Sequence, residues 1–188
     1  QEFGRKLWNY EHSKVLVWRN TKAVEYGDYI RTVVSGETEM RSGDFVSNNS
    51  YVMHATRKSV LKTDELVYLQ DIGPDDTLFD TLGNWVKINN LYWFKPKHPS
   101  DFGKAQARAN KLLDPQVKNK WLREIETWVD LRALTSQTVN KSQGSTYKQV
   151  FIDLDDIKHC PSANQIARML YVGTSRASQK VIFTGDLV

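Results

Sequence analysis

Residues 138–154, TVNKSQGSTYKQVFIDL, contain the residue types that suit the binding of an anion. The polar, Gly-containing residues 140–147 precede residues 150–154, an apolar run that is typical of a strand. A tight turn at the end of a parallel strand exposes backbone N–H groups, which bind anions. The segment also supplies side chains that suit phosphate oxygens, namely Thr138, Lys141, Ser142 and Ser145. A turn that holds no ligand is the alternative interpretation.

A second candidate for phosphate chemistry is Arg176, which lies in a turn of small residues, 173–177, between a predicted helix and a predicted strand. Arginine stays ionised and offers a planar fork of donors to phosphate. Arg176 therefore suits a γ-phosphate that is reached across an interface. A structural salt bridge is the alternative interpretation of a single arginine.

The first half of a nucleotide site is missing from the sequence. No phosphate loop of the form G-x-x-x-x-G-K-[ST] occurs, and no acidic strand end precedes Thr138. Asp153, Asp155 and Asp156 follow the loop, where we expect them to cap a helix, so a nuclease is the weaker hypothesis. With one cysteine and four histidines, we predict no metal site.

The order of the predicted elements indicates an α/β sheet domain that is interrupted by a β-rich insert. Residues 15–18 form an apolar run typical of a strand buried on both faces, and Thr21 is positioned to cap the helix that follows. Between residues 36 and 93, short strands alternate with turn signals at residues 73–76 and 89–90. This pattern favours a small antiparallel barrel.

Helices and a last strand follow the insert. Asp114 and Pro115 predict a helix start. The helix should turn one apolar stripe towards the core, formed by Val117, Trp121, Ile125 and Trp128. Ser162 predicts the start of a further helix. Residues 181–183 predict a final buried strand.

Composition sets few limits on function. The chain of 188 residues has a net charge of +4, and residues 95–123 hold eight Lys/Arg against two Asp, which fits a solvated face or a nucleic-acid surface. The single cysteine, Cys160, favours a reducing, intracellular setting. No apolar run approaches the length of a membrane span.

Three segments, taken together, resemble motifs of superfamily 1 helicases. Residues 138–144, TVNKSQG, resemble motif V, T-x-H-K-S-Q-G, and residues 170–177, LYVGTSRA, resemble motif VI, L-Y-V-A-x-[ST]-R-A. Residues 15–24, VLVWRNTKAV, resemble the strand, turn and helix that open the second RecA-like domain in the RecD/Dda-like branch of superfamily 1B DNA helicases. The β-rich insert lies where that branch carries an SH3-like subdomain.

The resemblance implies a fold and a division of the chain. Residues 1–36 and 125–188 would form a RecA-like parallel sheet domain, the second such domain of the helicase. Residues 37–124 would form an inserted small β-barrel of SH3-like type with its linking helices. The chain would then be the C-terminal region of a phage Dda-type helicase.

The resemblance also implies an activity: ATP-dependent 5′–3′ translocation and unwinding of DNA by the full-length protein, with ATP and Mg²⁺. This fragment alone would bind neither and would be inactive, because the N-terminal RecA-like domain, in the same polypeptide or in a partner, holds the phosphate loop. Single-stranded DNA is the implied partner, with replication, repair or recombination proteins as further candidates and no membrane. The implied location is the cytoplasm, or the host cytoplasm for a phage protein.

The resemblance assigns a role to each residue that matches a motif. Arg176 would be the arginine finger, and Gln143 and Gly144 would lie near the nucleotide. The residues implied to contact DNA are Thr138, Asn140, Lys141, Asn20 and Lys22. Asn140 stands where the family usually has His, although Asn can still donate to phosphate. For Asn20 and Lys22, a structural turn is the alternative.

A binding module without ATP chemistry is the alternative function, in which the barrel and its scaffold bind protein or nucleic acid. Within the insert, Trp85, Tyr92 and Trp93 could stack on bases. Packing in the core is the alternative role of these aromatic side chains.

Overall fold

The computed structural model describes residues 12–56 and 59–188, which divide into two compact units. The sheet unit comprises the described residues up to Glu39 together with Ala133–Val188, and the β-rich unit comprises Met40–Arg132. The chain therefore leaves the sheet unit once, forms the β-rich unit without interruption, and returns.

Strands and helices alternate in the sheet unit, whereas strands dominate the first part of the β-rich unit. In chain order the described strands are β1 (Ser13–Val17), β2 (Phe45–Asn48), β3 (Val52–Met53), β4 (Val60–Leu61), β5 (Leu66–Tyr68), β6 (Asp71–Leu78), β7 (Thr81–Ile88), β8 (Leu91–Pro96), β9 (Leu131–Arg132), β10 (Ser136–Thr138), β11 (Tyr147–Asp153) and β12 (Ala177–Thr184). The described α-helices are α1 (Asn20–Ile30), α2 (Asp101–Asn110), α3 (Pro115–Ile125), α4 (Leu154–Ile157) and α5 (Ala163–Thr174). None of these helices combines the length and the hydrophobicity that crossing a bilayer requires.

The sheet unit contains a four-stranded sheet with the order β10-β1-β11-β12, in which all neighbouring strands are parallel. The central strand β1 is buried along its whole length. Leu16 packs in the cluster that includes Met169 of α5, whereas Val15 and Val17 pack in the cluster that includes Ile30 of α1. The prediction of a strand buried on both faces is confirmed, and the mixed α/β unit with a parallel sheet is consistent with a RecA-like part.

The start of α1 differs from the prediction. The helix begins at Asn20, Arg19 occupies the N-cap position without a side-chain cap, and Thr21 lies inside the first turn. The prediction that Thr21 caps the helix is therefore wrong. A distant part of the chain holds the turn that precedes this helix. The Asp156 carboxylate accepts the backbone N–H groups of Trp18 and Arg19.

The last strand is also less buried than predicted. Residues 181–183 belong to β12, as expected, but Phe183 is half exposed. The reason is topological, since β12 ends the strand order and pairs with β11 alone among the described strands. An apolar run of three residues cannot distinguish a central strand from an edge strand.

The β-rich unit contains three small antiparallel sheets, with the orders β5-β2-β9, β3-β4 and β6-β7-β8. Its short strands agree with the predicted pattern. One core cluster contains residues of all three sheets, among them Val46 of β2, Leu61 of β4 and Val86 of β7. A second cluster packs Phe94 of β8 against α2 and α3.

One of the two predicted turns in this unit is present and the other is not. Asn89 and Asn90 adopt φ of 52° and 62°, the left-handed backbone that a two-residue hairpin turn needs. In contrast, residues 73–76 lie inside β6, and the chain reverses at Phe79 and Asp80 instead. The Gly-Pro pair is tolerated because β6 is an edge strand with irregular pairing to β7 there.

The starts of α3 and α5, unlike that of α1, were predictable from local sequence. Asp114 accepts hydrogen bonds from the backbone of Gln116 and Val117 at 2.8 and 3.3 Å, and Ser162 accepts one from Gln165 at 3.3 Å. Both predicted caps are confirmed.

The predicted core stripe of α3 is only partly correct. Ile125 and Trp128 are buried and Trp121 is half-buried, but Val117 is 41 % exposed. The helix ends at Ile125, and the core lies beside its second half rather than its first turn.

The insert aromatics have three different environments. Trp93 is buried in the core, which excludes the predicted stacking role for this residue. Trp85 is half-buried, and its indole N–H donates to Asp76 at 2.7 Å. Tyr92 is half exposed, with the Lys87 ammonium 5.8 Å from its ring centroid.

A buried lysine lies in the central strand of the sheet unit. Lys14 donates from Nζ to the carbonyl oxygen of Leu134 and lies 5.2 Å from the ring centroid of Tyr147. Burial lowers the pKa of Lys14 to about 8, from 10.5 for a solvated lysine. Between these two values the unfolded chain binds more protons than the folded chain, so stability rises with pH.

We therefore expect the Lys14→Met substitution to change the pH dependence of folding. Relative to this variant, the wild-type protein should gain on the order of 2–3 kcal/mol of unfolding free energy as the pH rises from about 8 to about 10.5. Urea unfolding at several pH values measures the difference. Lys180→Met, at an exposed lysine of β12, controls for the loss of one charge. A wild-type gain equal to that of Lys14→Met over this range would contradict the assignment.

Candidate functional site

The predicted phosphate-binding loop follows β10 and is held by its own hydroxyl groups. Thr138 and Ser142 are buried; Thr138 Oγ1 accepts the backbone N–H of Lys141 at 3.4 Å, and Ser142 Oγ donates to the Val139 carbonyl at 2.6 Å. Gly144 has a φ of 86°, a backbone conformation that favours glycine. The two hydroxyls therefore fix the backbone of the loop.

The loop residues Asn140 and Gln143 line a cavity of about 360 Å³ in the sheet unit. Its other lining residues are Trp18 at the end of β1, and Gln165, Arg168, Met169 and Val172 of α5. The lining offers a flat indole, a guanidinium, three side-chain amides and two apolar side chains. Such a lining suits a polar ligand that has a planar part and a negative charge.

The loop and α5 meet because both pack against one cluster of sheet residues, in which Val139 and Met169 lie together. The cavity residues of α5 fall at positions 165, 168, 169 and 172, the spacing of one helix face. Met169 is buried against the sheet, and a side chain at Gly173 would approach within 2.9 Å of Ile152. This close packing brings α5 near the loop.

Arg176 lies just after α5, next to the end of the predicted loop. Its Nη1 contacts the carbonyl oxygen of Ser145 at 3.4 Å, its Nη2 donates to Ser175 Oγ at 2.9 Å, and its Nε donates to the Val172 carbonyl at 3.3 Å. The backbone carbonyl of Arg176 accepts from Tyr147 at 2.8 Å. The described residues place no carboxylate in an ion pair with Arg176, so the alternative of a structural salt bridge is absent from the described chain.

The remaining predicted site residues are not part of the cavity lining. Asn20 and Lys22 lie in the first turn of α1, and Lys22 donates to Glu25 at 2.7 Å. The hydrogen bond to Glu25 raises the pKa of Lys22. Lys141 lies between the two cavity-lining residues of the loop and Gly144 follows the second, but neither lines the cavity.

A buried carboxylate fixes the end of β1 beside the cavity. Asp156 Oδ2 accepts from the backbone of Trp18 at 2.7 Å and of Arg19 at 2.9 Å. Its Oδ1 pairs with Arg19 Nε at 2.5 Å, and the Asp156 side chain has no exposed surface. This carboxylate therefore fixes the backbone from which the Trp18 side chain extends.

A second buried carboxylate supports the first. Asp153 caps α4 by accepting the backbone N–H of Asp156 at 3.1 Å, and it accepts the phenol of Tyr26 at 2.9 Å. Burial, together with the charge of Asp153, raises the pKa of Tyr26. The predicted helix cap is confirmed for Asp153, whereas Asp155 and Asp156 lie inside α4. Within residues 12–56 and 59–188, no three His, Cys, Asp or Glu side chains are grouped to hold a metal ion.

Sequence reasoning missed Trp18 and Arg168 as cavity residues. Trp18 is the last residue of the apolar run 15–18 and directly follows β1. Arg168 shares a helix face with Gln165 and Met169, and that spacing was visible in the sequence. The missing information was which loop that face would meet.

Comparison with known proteins agrees with part of this site. Residues 133–184 match the family model of the UvrD-like helicase C-terminal domain, which supports a superfamily 1 helicase C-terminal region. The match includes Asn140, Gln143 and Arg176. A curated relative, "Uncharacterized protein R530" of Acanthamoeba polyphaga mimivirus, is 36 % identical over 75 residues, which are 38 % of this chain and 15 % of the relative. The chain thus matches only a small part of that relative's length.

The carboxylate at Asp156 predicts a specific loss of stability. Asp156→Asn should lower the unfolding free energy by about 2–3 kcal/mol, because two buried N–H groups and Arg19 lose their charged acceptor. Asp155→Asn, at an exposed carboxylate paired with Lys158, should cost much less, because solvent screens an exposed ion pair. Denaturant unfolding of both variants measures the difference. Equal losses of unfolding free energy would contradict a special stabilising role for the buried Asp156 carboxylate.

Proposed function

We propose that this chain is the C-terminal region of a superfamily 1B, RecD/Dda-like DNA helicase and supplies the second of two RecA-like domains. The observation that carries the proposal is the position of Arg176. Its guanidinium lies against Ser145, directly after the motif V-like loop, and only neutral oxygens contact it in the described chain. A half-buried cation without a counter-ion is suited to an anion that arrives with another domain.

In this proposal Arg176 is the arginine finger. The other RecA-like domain holds ATP and Mg²⁺ through its phosphate loop, and Arg176 neutralises charge that develops on the γ-phosphate. Gln143 and Gly144 lie near the nucleotide. The location of Gln143 in the cavity lining supports this role.

Single-stranded DNA is the proposed second ligand. Asn140 and Lys141 begin a short helical turn, where backbone and side-chain donors suit phosphate. The Thr138 hydroxyl accepts the backbone N–H of Lys141 and so closes that turn. In this proposal Thr138 therefore contacts the DNA strand and also holds Asn140 and Lys141 in place. Contacts from Asn20 and Lys22 complete the proposed DNA site at the first turn of α1.

The same proposal gives the rest of the molecule its role. Residues 37–124 would be the SH3-like insert, and residues 1–36 and 125–188 the RecA-like domain. ATP would favour a closed arrangement of the two RecA-like domains because it contacts both, and hydrolysis would release it. Alternating grip on the strand would give 5′–3′ movement in replication, repair or recombination of DNA in the cytoplasm.

Substitution of the arginine finger tests the proposal. In the full-length protein, Arg176→Ala should lower DNA-stimulated ATP hydrolysis by a factor on the order of 10³ or more. Affinity for oligo-dT should change less than about twofold, since the proposed DNA contacts lie elsewhere. Arg176→Lys keeps the charge and loses the planar fork, so it should remain strongly impaired. A hydrolysis rate equal to that of the wild type would favour a binding module without ATP chemistry.

The absence of a phosphate loop gives a second prediction. The 188-residue chain, purified alone, should neither hydrolyse ATP nor unwind DNA, because it has no lysine and Gly-rich loop to hold the β- and γ-phosphates. A coupled ATPase assay with and without oligo-dT measures this. Turnover at ordinary helicase rates that disappears with Arg176→Ala would contradict the division of the site between two domains.

A further inference from the structure

We propose that the basic hairpin, defined as residues 101–125 with α2, α3 and their connection, binds the phosphate backbone of duplex DNA. The choice of DNA as the polyanion rests on the proposed function, whereas the surface is defined by its own charges. The hairpin belongs entirely to the β-rich unit. The loop and the cavity belong to the other unit, the sheet unit.

The hairpin contains most of the net charge of the protein. Six Lys/Arg and three Asp/Glu lie within residues 101–125, a net charge of +3 against +4 for the whole chain. Charge of one sign concentrated on one element attracts polyanions and increases the rate at which they associate.

Two of the three acidic side chains are already occupied by the fold. Asp101 pairs with Lys104 at 2.9 Å, and Asp114 caps α3. The third, Glu124, lies four residues after Lys120 but makes no ion pair with it among the described residues. The acids of the hairpin therefore leave most of its cations uncompensated.

One further cation has a structural role. The Arg108 guanidinium donates to Thr81 Oγ1 at 2.5 Å and to the Phe79 carbonyl at 3.3 Å, which joins α2 to the β6–β7 turn. Four cations have side chains with no hydrogen bond or ion pair within the described chain, namely Lys111, Lys118, Lys120 and Arg123. Lys111, Lys120 and Arg123 are exposed.

The apolar content of this surface does not suit a protein partner. Leu113, 98 % exposed at the connection, and Val117 are the only large apolar side chains of the described hairpin that are exposed. The centre of a protein–protein interface is usually apolar and aromatic, with few charged residues. Uncompensated cations along α3 and at the connection before it instead suit a regular array of phosphates.

The aromatic residues distinguish duplex DNA from a single strand. Proteins that bind single strands stack bases on exposed aromatic side chains. In the basic hairpin, Phe102 and Trp121 pack against the cluster that contains Phe94 and Trp128. Because neither ring is an exposed platform, the surface is suited to a backbone whose bases are already paired.

The salt dependence of binding tests this inference. For the full-length protein, fluorescence anisotropy would give the affinity for a labelled blunt duplex, and for oligo-dT of equal length, over a range of NaCl concentrations. The variant Lys111→Gln, Lys118→Gln, Lys120→Gln, Arg123→Gln should bind the duplex with a log K against log[NaCl] slope shallower by about 2–4. Its slope with oligo-dT, and its ATP hydrolysis at saturating oligo-dT, should match the wild type.

A charge-matched pair controls for general electrostatics. Lys120→Gln with Arg123→Gln should reduce the duplex slope by about 1–2. Lys62→Gln with Lys180→Gln, at two exposed lysines without ion pairs in the described chain, should change it much less. Equal changes in the two pairs, or an unchanged slope in the four-residue variant, would overturn the inference.

Two more outcomes separate this inference from the proposed function. A slope change that is equally large with oligo-dT would assign the hairpin to single strands and overturn the duplex assignment. If the wild-type protein hydrolysed no ATP but the duplex slope still fell with the four-residue variant, the proposed function would fail and the duplex surface would stand.

Discussion

The carboxylate of Asp156 is the constraint on which the candidate site depends. A carboxylate without solvent must be fully satisfied by donors, and Asp156 obtains them from the backbone of Trp18 and Arg19 and from the Arg19 guanidinium. These contacts join the end of β1 to the first turn after β11. The Trp18 part of the cavity lining is therefore anchored to the sheet, which holds side chains more precisely than free loops do.

The arginines near the cavity differ in whether a carboxylate pairs with them. Arg19 forms an ion pair with the buried carboxylate of Asp156, which compensates its charge. Arg176 contacts neutral oxygens, and Arg168 reaches the cavity without an ion pair in the described chain. A nearby opposite charge would weaken the electric field of a cation. Arg176 and Arg168 have no such partner in the described chain, and both lie near the loop that resembles motif V.

Features fixed by neighbouring residues could be predicted from sequence. Asp114 and Ser162 cap helices through backbone N–H groups two or three residues away, and Asn89–Asn90 meets the backbone demand of a hairpin turn by residue type alone. The predictions for Thr21 and for residues 73–76 were wrong because distant contacts overrode local preference. At the first, Asp156 lies more than a hundred residues away in sequence. At the second, an edge strand tolerated a proline that normally ends one.

The candidate site was predictable to the same degree. Asn140, Gln143 and Arg176 carry recognisable spacing, and the structure brings the first two into one cavity and the third beside the same loop. Trp18 and Arg168 join them only through packing of α5 over the sheet, which no local pattern encodes. The helix lies close to the sheet at Gly173, where a Cβ would approach Ile152 Cδ1 to 2.9 Å.

The connection between β1 and β10 explains how a second unit can be inserted without disturbing this site. The two strands are neighbours in the sheet, and α1 packs against the start of β10, with Ser136 Oγ donating to the Ala23 carbonyl and a close approach at Gly27. Met40–Arg132 departs from the sheet unit after α1, and the chain has returned to that unit by Ala133, before this contact. Since loop closure costs grow only slowly with length, the sheet tolerates a long excursion at this point.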